Sequence, residues 1–393
     1  MITKFKKVWK TFKDEQEKRE LIRVLTEKTN KAFHSAKLFL VQKNHITDLD
    51  MYIYPKIQSV RLLDYAEIVF TIPKGMNPEE VKKKEYVFKQ YLSKHAELEG
   101  DLLKFVIRIV PNEIKTVKYN YNTFKFQKEK LPIVCGVNKY GKYMIYDMVT
   151  HAHLLIAGET GSGKSSQIRS ILVTLIQNKT PDQLHLYLCD LKQSEFHLFQ
   201  KIKHVQSVTY TPEELYPVLL KLKKEVYRRG KLLNQYGINH IDKLPNKIPY
   251  IVMCIDEYPM LVGEKESLKI ITEISAIGRT NGCFLICSMQ RPDAEVLNGK
   301  IKNNLTVSMG FRCKNATNSK IMDCAGAENI PKSAKGRMIL NFDTLETIQA
   351  PYLTEEKAKE ILKPYCRLES EKTVDSGSIE VSKHESIFGQ LEE

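Results

Sequence analysis

LLIAGETGSGKSS, Leu154–Ser166, decides the fold of this 393-residue chain. Its four leading apolar residues, Leu154–Ala157, read as a buried strand. They run into a glycine-rich loop in which Gly158, Gly163, Lys164 and Ser165 fill the pattern G-x-x-x-x-G-K-[ST]. Gly161 and Gly163 let the backbone curl so that successive N–H groups point at phosphate oxygens. Glu159, Thr160, Ser162 and Ser166 complete the set expected to surround the phosphates of a nucleotide. The helix expected over Gln167–Gln177 starts near Lys164 and adds the positive end of its dipole. Lys164 would reach the β- and γ-phosphates of ATP, and Ser165 would hold Mg²⁺. A bland glycine turn is the alternative, but it predicts neither flank.

Outward from this loop, short apolar runs recur at Ile133–Val137, Leu184–Asp190, Ile251–Asp256, Phe284–Met289 and Val307–Arg312. Helical patterns lie between most of them. This predicts an α/β domain with a mostly parallel sheet covered by helices. The run IVMCIDE (251–257) ends in two carboxylates, delivered to the strand end where ligands sit in open α/β sheets. Asp256 is the candidate for the Mg²⁺ shell, and Glu257 for polarising the attacking water. Two adjacent carboxylates fit hydrolytic motors better than GTP switches, which position water with Gln. Gln290 closes the next strand, either to sense the γ-phosphate or orient water, or as a strand-end amide in a turn. Arg279, just before that strand, is either an arginine finger reaching a neighbouring subunit's site or a partner in a surface salt bridge.

Upstream, residues 44–115 read as a small α+β unit. Strands are expected at Met51–Leu62, Tyr65–Ile72 and Leu102–Val110, with a helix over Pro78–His95 capped by Asn77. A charged, aromatic stretch, 116–130, links it to the α/β domain expected over 131–353. Residues 1–43 carry twelve Lys/Arg against five Asp/Glu. There Phe5, Val8, Trp9 and Phe12 fall at helical spacing, for packing on the next domain or for lying on anionic lipid. The tail, 354–393, holds one short helix, Glu355–Pro364, and then a polar stretch expected to be disordered.

The net charge of +14 favours a polyanionic partner, either nucleic acid or an anionic membrane surface, over a merely soluble basic protein. The eight cysteines follow no metal-ligand spacing and read as buried free thiols in a reducing cytosol. The sequence shows no secretory signal and no apolar run of transmembrane length. A cytoplasmic location is therefore expected, with peripheral membrane attachment through a partner or the basic N-terminus.

LPIVCGVNKYGKYMIYDMVTHAHLLIAGETGSGKSS (131–166) resembles the entry to the motor of FtsK/SpoIIIE DNA translocases. The similarity continues through DLKQSEF (190–196), EVYRRGKLLNQYGINHIDKLP (225–245), IVMCIDEYPML (251–261), GRTNGCFLICSMQRPDAEVLNGKIKNN (278–304) and CAGAEN (324–329). It covers roughly 131–350. The resemblance implies a RecA-like hexamer with DNA in its channel, ATP between subunits and hydrolysis driving movement along DNA. It also implies channel contacts after the QRP strand, for which Arg291, Lys300 and Lys302 are candidates. The alternative for these three is solvated cations on a helix. Ser308 and Asn318-Ser319-Lys320 depart from the family's arginine positions, which leaves Arg279 as the finger candidate.

Chromosome pumps of the family carry membrane helices, a long linker and a winged-helix module, none of which this sequence shows. The compact form, with PKGMNPEEVKKKEYVF (73–88) before the motor, looks more like the coupling proteins of Gram-positive conjugative elements and plasmids. That likeness implies a relaxase and a membrane transfer channel as partners, in conjugative transfer or plasmid maintenance. The other functions compatible with the motor are a protein-secretion ATPase and a nucleotide-regulated DNA-binding scaffold.

Overall fold

The computed structural model describes residues 15–43, 49–63, 65–110, 114–292, 297 and 299–367. The aromatic stripe Phe5–Phe12 and the polar tail beyond Glu369 lie outside them. Helix α1 (Glu15–Ser35) has acidic residues in its first turn, which suit the positive end of its dipole. It buries Leu25, Thr29, Ala32 and Phe33. A two-stranded ribbon of β1 (Leu40–Lys43) and β2 (Asp50–Ile53) follows. Strands β3 (Lys56–Leu62) and β4 (Ala66–Thr71) lead to helices α2 (Pro78–Lys83) and α3 (Glu85–Tyr91), then to β5 (Ala96–Asp101) and β6 (Lys104–Ile109). These last four strands form an antiparallel sheet in the order β3-β4-β6-β5. Period-two alternation in β4 turns Ala66, Ile68 and Phe70 inward. Phe70 meets Phe33 of α1 at 5.0 Å between ring centroids and Phe105 of β6 at 5.6 Å.

Several expectations for this unit are corrected. The helix of the basic N-terminal segment is part of the small domain's core, since Phe33 is fully buried there. The expected strand Met51–Leu62 is two strands, interrupted at Pro55, which has no N–H for a ladder. The expected helix Pro78–His95 divides at Lys84, which ends α2 and starts α3, and stops at Leu92. Asn77 does cap α2, accepting a hydrogen bond from the Glu79 amide at 3.0 Å. Strand β5, AELEGD, was hidden by its charged residues.

The remaining chain builds one ten-stranded sheet. Its strands are β8 (Pro132–Asn138), β9 (Tyr143–Asp147), β10 (Leu154–Ala157), β11 (Leu184–Asp190), β12 (Val205–Thr209), β13 (Tyr250–Asp256), β14 (Cys283–Met289), β15 (Val307–Phe311), β16 (Arg337–Asn341) and β17 (Leu345–Gln349). The order is β12-β11-β13-β14-β10-β15-β16-β17-β8-β9. The block from β12 to β15 is parallel, as expected, while β16, β17, β8 and β9 extend it antiparallel, so the whole sheet is mixed.

Both faces of the parallel block are covered. Leu154 and Ile156 pack under α4 (Lys164–Asn178), whereas Leu155 and Ala157 pack under α5 (Pro212–Gln235) and α6 (Lys265–Asn281). A strand buried on both sides reads as a continuous apolar run, which is why these strands were legible. The chain also forms α7 (Gly299–Lys302), α8 (Ala316–Ile321) and α9 (Glu355–Leu362).

The stretch 116–130 is integrated into the large α/β unit. Its strand β7 (Val117–Lys118) pairs with β18 (Pro351–Tyr352), and Tyr119 reaches Thr174 and Gln177 of α4 at 3.0 and 2.8 Å. The small domain is held at the β8–β9 turn, where Lys139 bonds Glu97 at 2.6 Å and Tyr140 packs on Tyr65. All eight cysteines are free and seven are buried. Among the described residues no helix is long and apolar enough to cross a membrane.

Candidate nucleotide-binding site

The loop from Gly158 to Ser166 lies between β10 and the first turn of α4, at the C-terminal edge of the parallel block. Gly163 takes φ 115°, in the left-handed region that favours glycine. A Cβ there would lie 2.7 Å from the backbone of Gly336. The Gly336 N–H in turn donates to the Ser162 carbonyl at 2.7 Å. The phosphate loop is thus held by a segment some 170 residues further on. Arg312 fastens it from the other side, donating to Glu159 at 2.5 Å and to the Ile330 carbonyl at 2.8 Å.

Lys164 is buried and points at the end of β13. Its ammonium is 3.1 Å from the Ser288 hydroxyl and 3.6 Å from Asp256, and Ser288 donates to Asp256 at 2.9 Å. Asp256 therefore sits beside Lys164, at the end of β13. Ser288 went unnoticed, because a lone Ser one residue before a strand end carries no signal.

Glu257 and Gln290 are also brought together. The Gln290 amide donates to Glu257 Oε1 at 3.2 Å, while the Gln290 side chain accepts a hydrogen bond from Thr160 at 3.0 Å. Glu257 takes φ 58° and ψ 56°. A non-glycine residue held there costs on the order of 1–3 kcal/mol, and such strain clusters at functional sites. The Lys192 ammonium closes on Glu257 Oε2 at 2.6 Å. The loop bearing Lys192 is shaped by buried Asp190, whose carboxylate accepts from the amides of Ser194, Glu195 and Phe196. Burial pushes the Glu195 carboxyl above the usual range, against the Ser165 hydroxyl and the Arg169 guanidinium, which favour its charged form.

These groups enclose a cavity of about 1100 Å³, lined by Thr160, Gly163, Lys164 and Ser165 on one side and by Gly336, Gln349 and Tyr352 on another. Ser165 and Asp256 both face it. A hydroxyl and a carboxylate beside a phosphate cradle are the oxygen-only donors that suit Mg²⁺, which completes its shell with waters and substrate phosphate.

Arg279 is elsewhere. It is exposed in the last turn of α6 and does not line the cavity. Arg291 and Lys300 are exposed and make no ion pair among the described residues, whereas Lys302 is paired with Asp323 at 2.9 Å.

A left-handed glycine cradle at a helix N-terminus, with a buried Lys–Ser–Asp cluster opposite, defines a P-loop nucleotide-binding domain of the ATPase class. Residues 117–262 match the FtsK/SpoIIIE family. The DNA translocase FtsK of Helicobacter pylori is 34% identical over 254 residues, covering 60% of this chain and 30% of the translocase. That of Campylobacter jejuni is 30% identical over 309 residues, covering 72% of this chain and 32% of the translocase. The chain therefore spans about a third of the length of these relatives.

Among solved structures, the conjugation coupling protein TcpA of pCW3, as a monomer with ATPgS, superposes with a TM-score of 0.57 at 24% identity. The match covers 79% of this chain and 93% of TcpA. ATPases 2 and 3 of EssC from Geobacillus thermodenitrificans give 0.58 at 16% identity, covering 65% of this chain and 51% of theirs. At these identities the likeness is one of fold. The chain carries a P-loop ATPase motor of the FtsK/SpoIIIE family.

Proposed function

We infer that the chain hydrolyses ATP to move DNA, working as a hexameric ring with nucleotide between subunits. The observation that carries this reading is the placing of Asp256 and Glu257 at the end of β13, across from Lys164 and the phosphate loop. In the reaction, the oxygen of a water bonds to the γ-phosphorus and the bond to the β–γ bridging oxygen breaks, releasing ADP. Lys164 offsets charge on the phosphates, and Glu257 accepts a hydrogen bond from the attacking water. Ser165 and Asp256 would hold Mg²⁺, which would offset negative charge on the phosphates. A ring is supported by Arg279, an exposed cation that does not line its own cavity and so is available to a neighbour's.

DNA as substrate is supported by the family of the motor and by the +14 charge. A translocating ring grips phosphates rather than bases, so Arg291 and Lys300 are the better pore candidates and Lys302, already paired, the weaker. The fold shared with a coupling protein supports a cytoplasmic role in conjugative transfer or plasmid maintenance, with a relaxase and a membrane channel as partners. The test is steady-state ATP hydrolysis without DNA, with duplex and with single strands, at low and moderate salt. Salt-sensitive stimulation by DNA is expected. An unchanged rate in all three conditions overturns the DNA reading.

A further inference from the structure

Glu257 is the candidate for water activation, yet it does not line the cavity, whereas Lys192 does. Both Glu257 oxygens are engaged, Oε2 by the Lys192 ammonium at 2.6 Å and Oε1 by the Gln290 amide at 3.2 Å. Each oxygen keeps a second lone pair, but the carboxylate is drawn to Lys192, and it is the lysine that reaches the cavity. Of the two partners in the ion pair, Glu257 is the fixed one. Its side chain is 9% exposed and its backbone is locked in the left-handed region, while the Lys192 side chain is 30% exposed. The lysine also has the longer, more flexible stem, ending in a point charge that suits phosphate.

Lys192 lines the same cavity as Gly163 and Lys164, so a γ-phosphate seated on the loop shares that cavity with its ammonium. Thr160, in the loop itself, grips Gln290, so the second bond to Glu257 is also tied to the phosphate site.

We propose that Lys192 is a positioning residue that exchanges partners. It occupies Glu257 Oε2 until a γ-phosphate competes for its ammonium, and its departure leaves that oxygen open to water. This rests on the reading of the cavity as an ATP site. It gives the motor a way to distinguish ATP from ADP at the carboxylate that matters, because ADP offers nothing to draw Lys192 away.

The test is equilibrium binding of ADP and of a non-hydrolysable ATP analogue to the full chain and its variants. Lys192→Met is expected to weaken the ATP analogue about ten-fold or more, the scale of one hydrogen bond to a charged group, with ADP unchanged. Glu257→Gln, which frees Lys192 from its rival, is expected to tighten the ATP analogue several-fold on the same scale, again with ADP unchanged. In the Lys192→Met background, Glu257→Gln is expected to give no tightening, and Lys192→Arg restores part of the preference. ADP affinity reports that each variant is folded. Parallel changes for ADP and the ATP analogue, or tightening by Glu257→Gln that persists without Lys192, overturn the exchange. Failure of both nucleotides to bind the unaltered chain overturns the nucleotide reading itself.

Discussion

The α-carbon of Gly336 lies where it would be only 2.7 Å from a Cβ on Gly163. Two glycines 173 positions apart thus meet backbone to backbone, and each has a positive φ. The phosphate loop is therefore clamped against the hairpin of β16 and β17, whose Gln349 also bonds the Lys335 carbonyl at 3.0 Å. Gly163→Ala must open this contact and hold alanine in the left-handed region, at a combined cost of about 2 kcal/mol or more. Nucleotide affinity is expected to fall by at least about ten-fold, with far-ultraviolet circular dichroism unchanged.

Glu257→Gln removes the carboxylate but keeps the side chain's shape. Hydrolysis is expected to fall by roughly two to four orders of magnitude, the scale of a lost general base, while ATP binding is not weakened. Single-turnover kinetics beside equilibrium binding separates the two effects. A fall in both together would assign Glu257 to binding rather than chemistry.

Arg291 and Lys300 are exposed cations after β14. Replacing either with Ala is expected to weaken DNA binding uniformly across sequences and to lower the salt slope by about one. Lys302→Ala is expected to change that slope less, because Lys302 already pairs with Asp323. Affinities measured at several salt concentrations give the slopes directly.

Arg229 is buried, bonding Glu225 at 2.7 Å and the Asn281 carbonyl at the end of α6 at 3.0 Å. It joins α5 to the negative end of the α6 dipole. Arg229→Ala leaves the Asn281 carbonyl open in the core, while Glu225 keeps Arg228, and is expected to destabilise the motor by about 2 kcal/mol. Urea unfolding measures this.

His153 donates through Nε2 to the Ser275 carbonyl and accepts at Nδ1 from the Leu285 amide, both at 2.9 Å. Burial lowers its pKa from 6.5 to about 4, outweighing the Ser275 carbonyl. The unfolded chain therefore takes up the proton first. The stability contributed by neutral His153 is complete above pH 6.5 and is lost as pH falls through 6.5 toward 4, by roughly 3 kcal/mol. His153→Gln is expected to flatten the fall of melting temperature with pH over that window.

The parallel strands and the paired acids were legible because each has a local cause. Leu154–Ala157 and Ile251–Asp256 are apolar on both faces, and Gly163-Lys164-Ser165 must follow one another to serve a phosphate. The antiparallel flank was not legible. Arg337–Asn341 and Leu345–Gln349 alternate only partly, and their pairing depends on long-range neighbours. Ser288, Gly336 and Arg312 act across the sheet, so no spacing in sequence announces them. Lys192 was visible only as part of DLKQSEF, and its hold on Glu257 is a product of the fold.

Seven of the eight thiols lie inside the molecule, and burial pushes those of Cys189, Cys283, Cys287 and Cys324 up to about 12. They stay protonated and shielded from alkylating dyes at neutral pH. Cys366 alone is half-exposed. A Cys366→Ser background therefore offers a nearly blank canvas for fluorophores, and one cysteine added to the outer face of α5 turns each molecule into a beacon by which the proposed progress along a tethered DNA can be filmed.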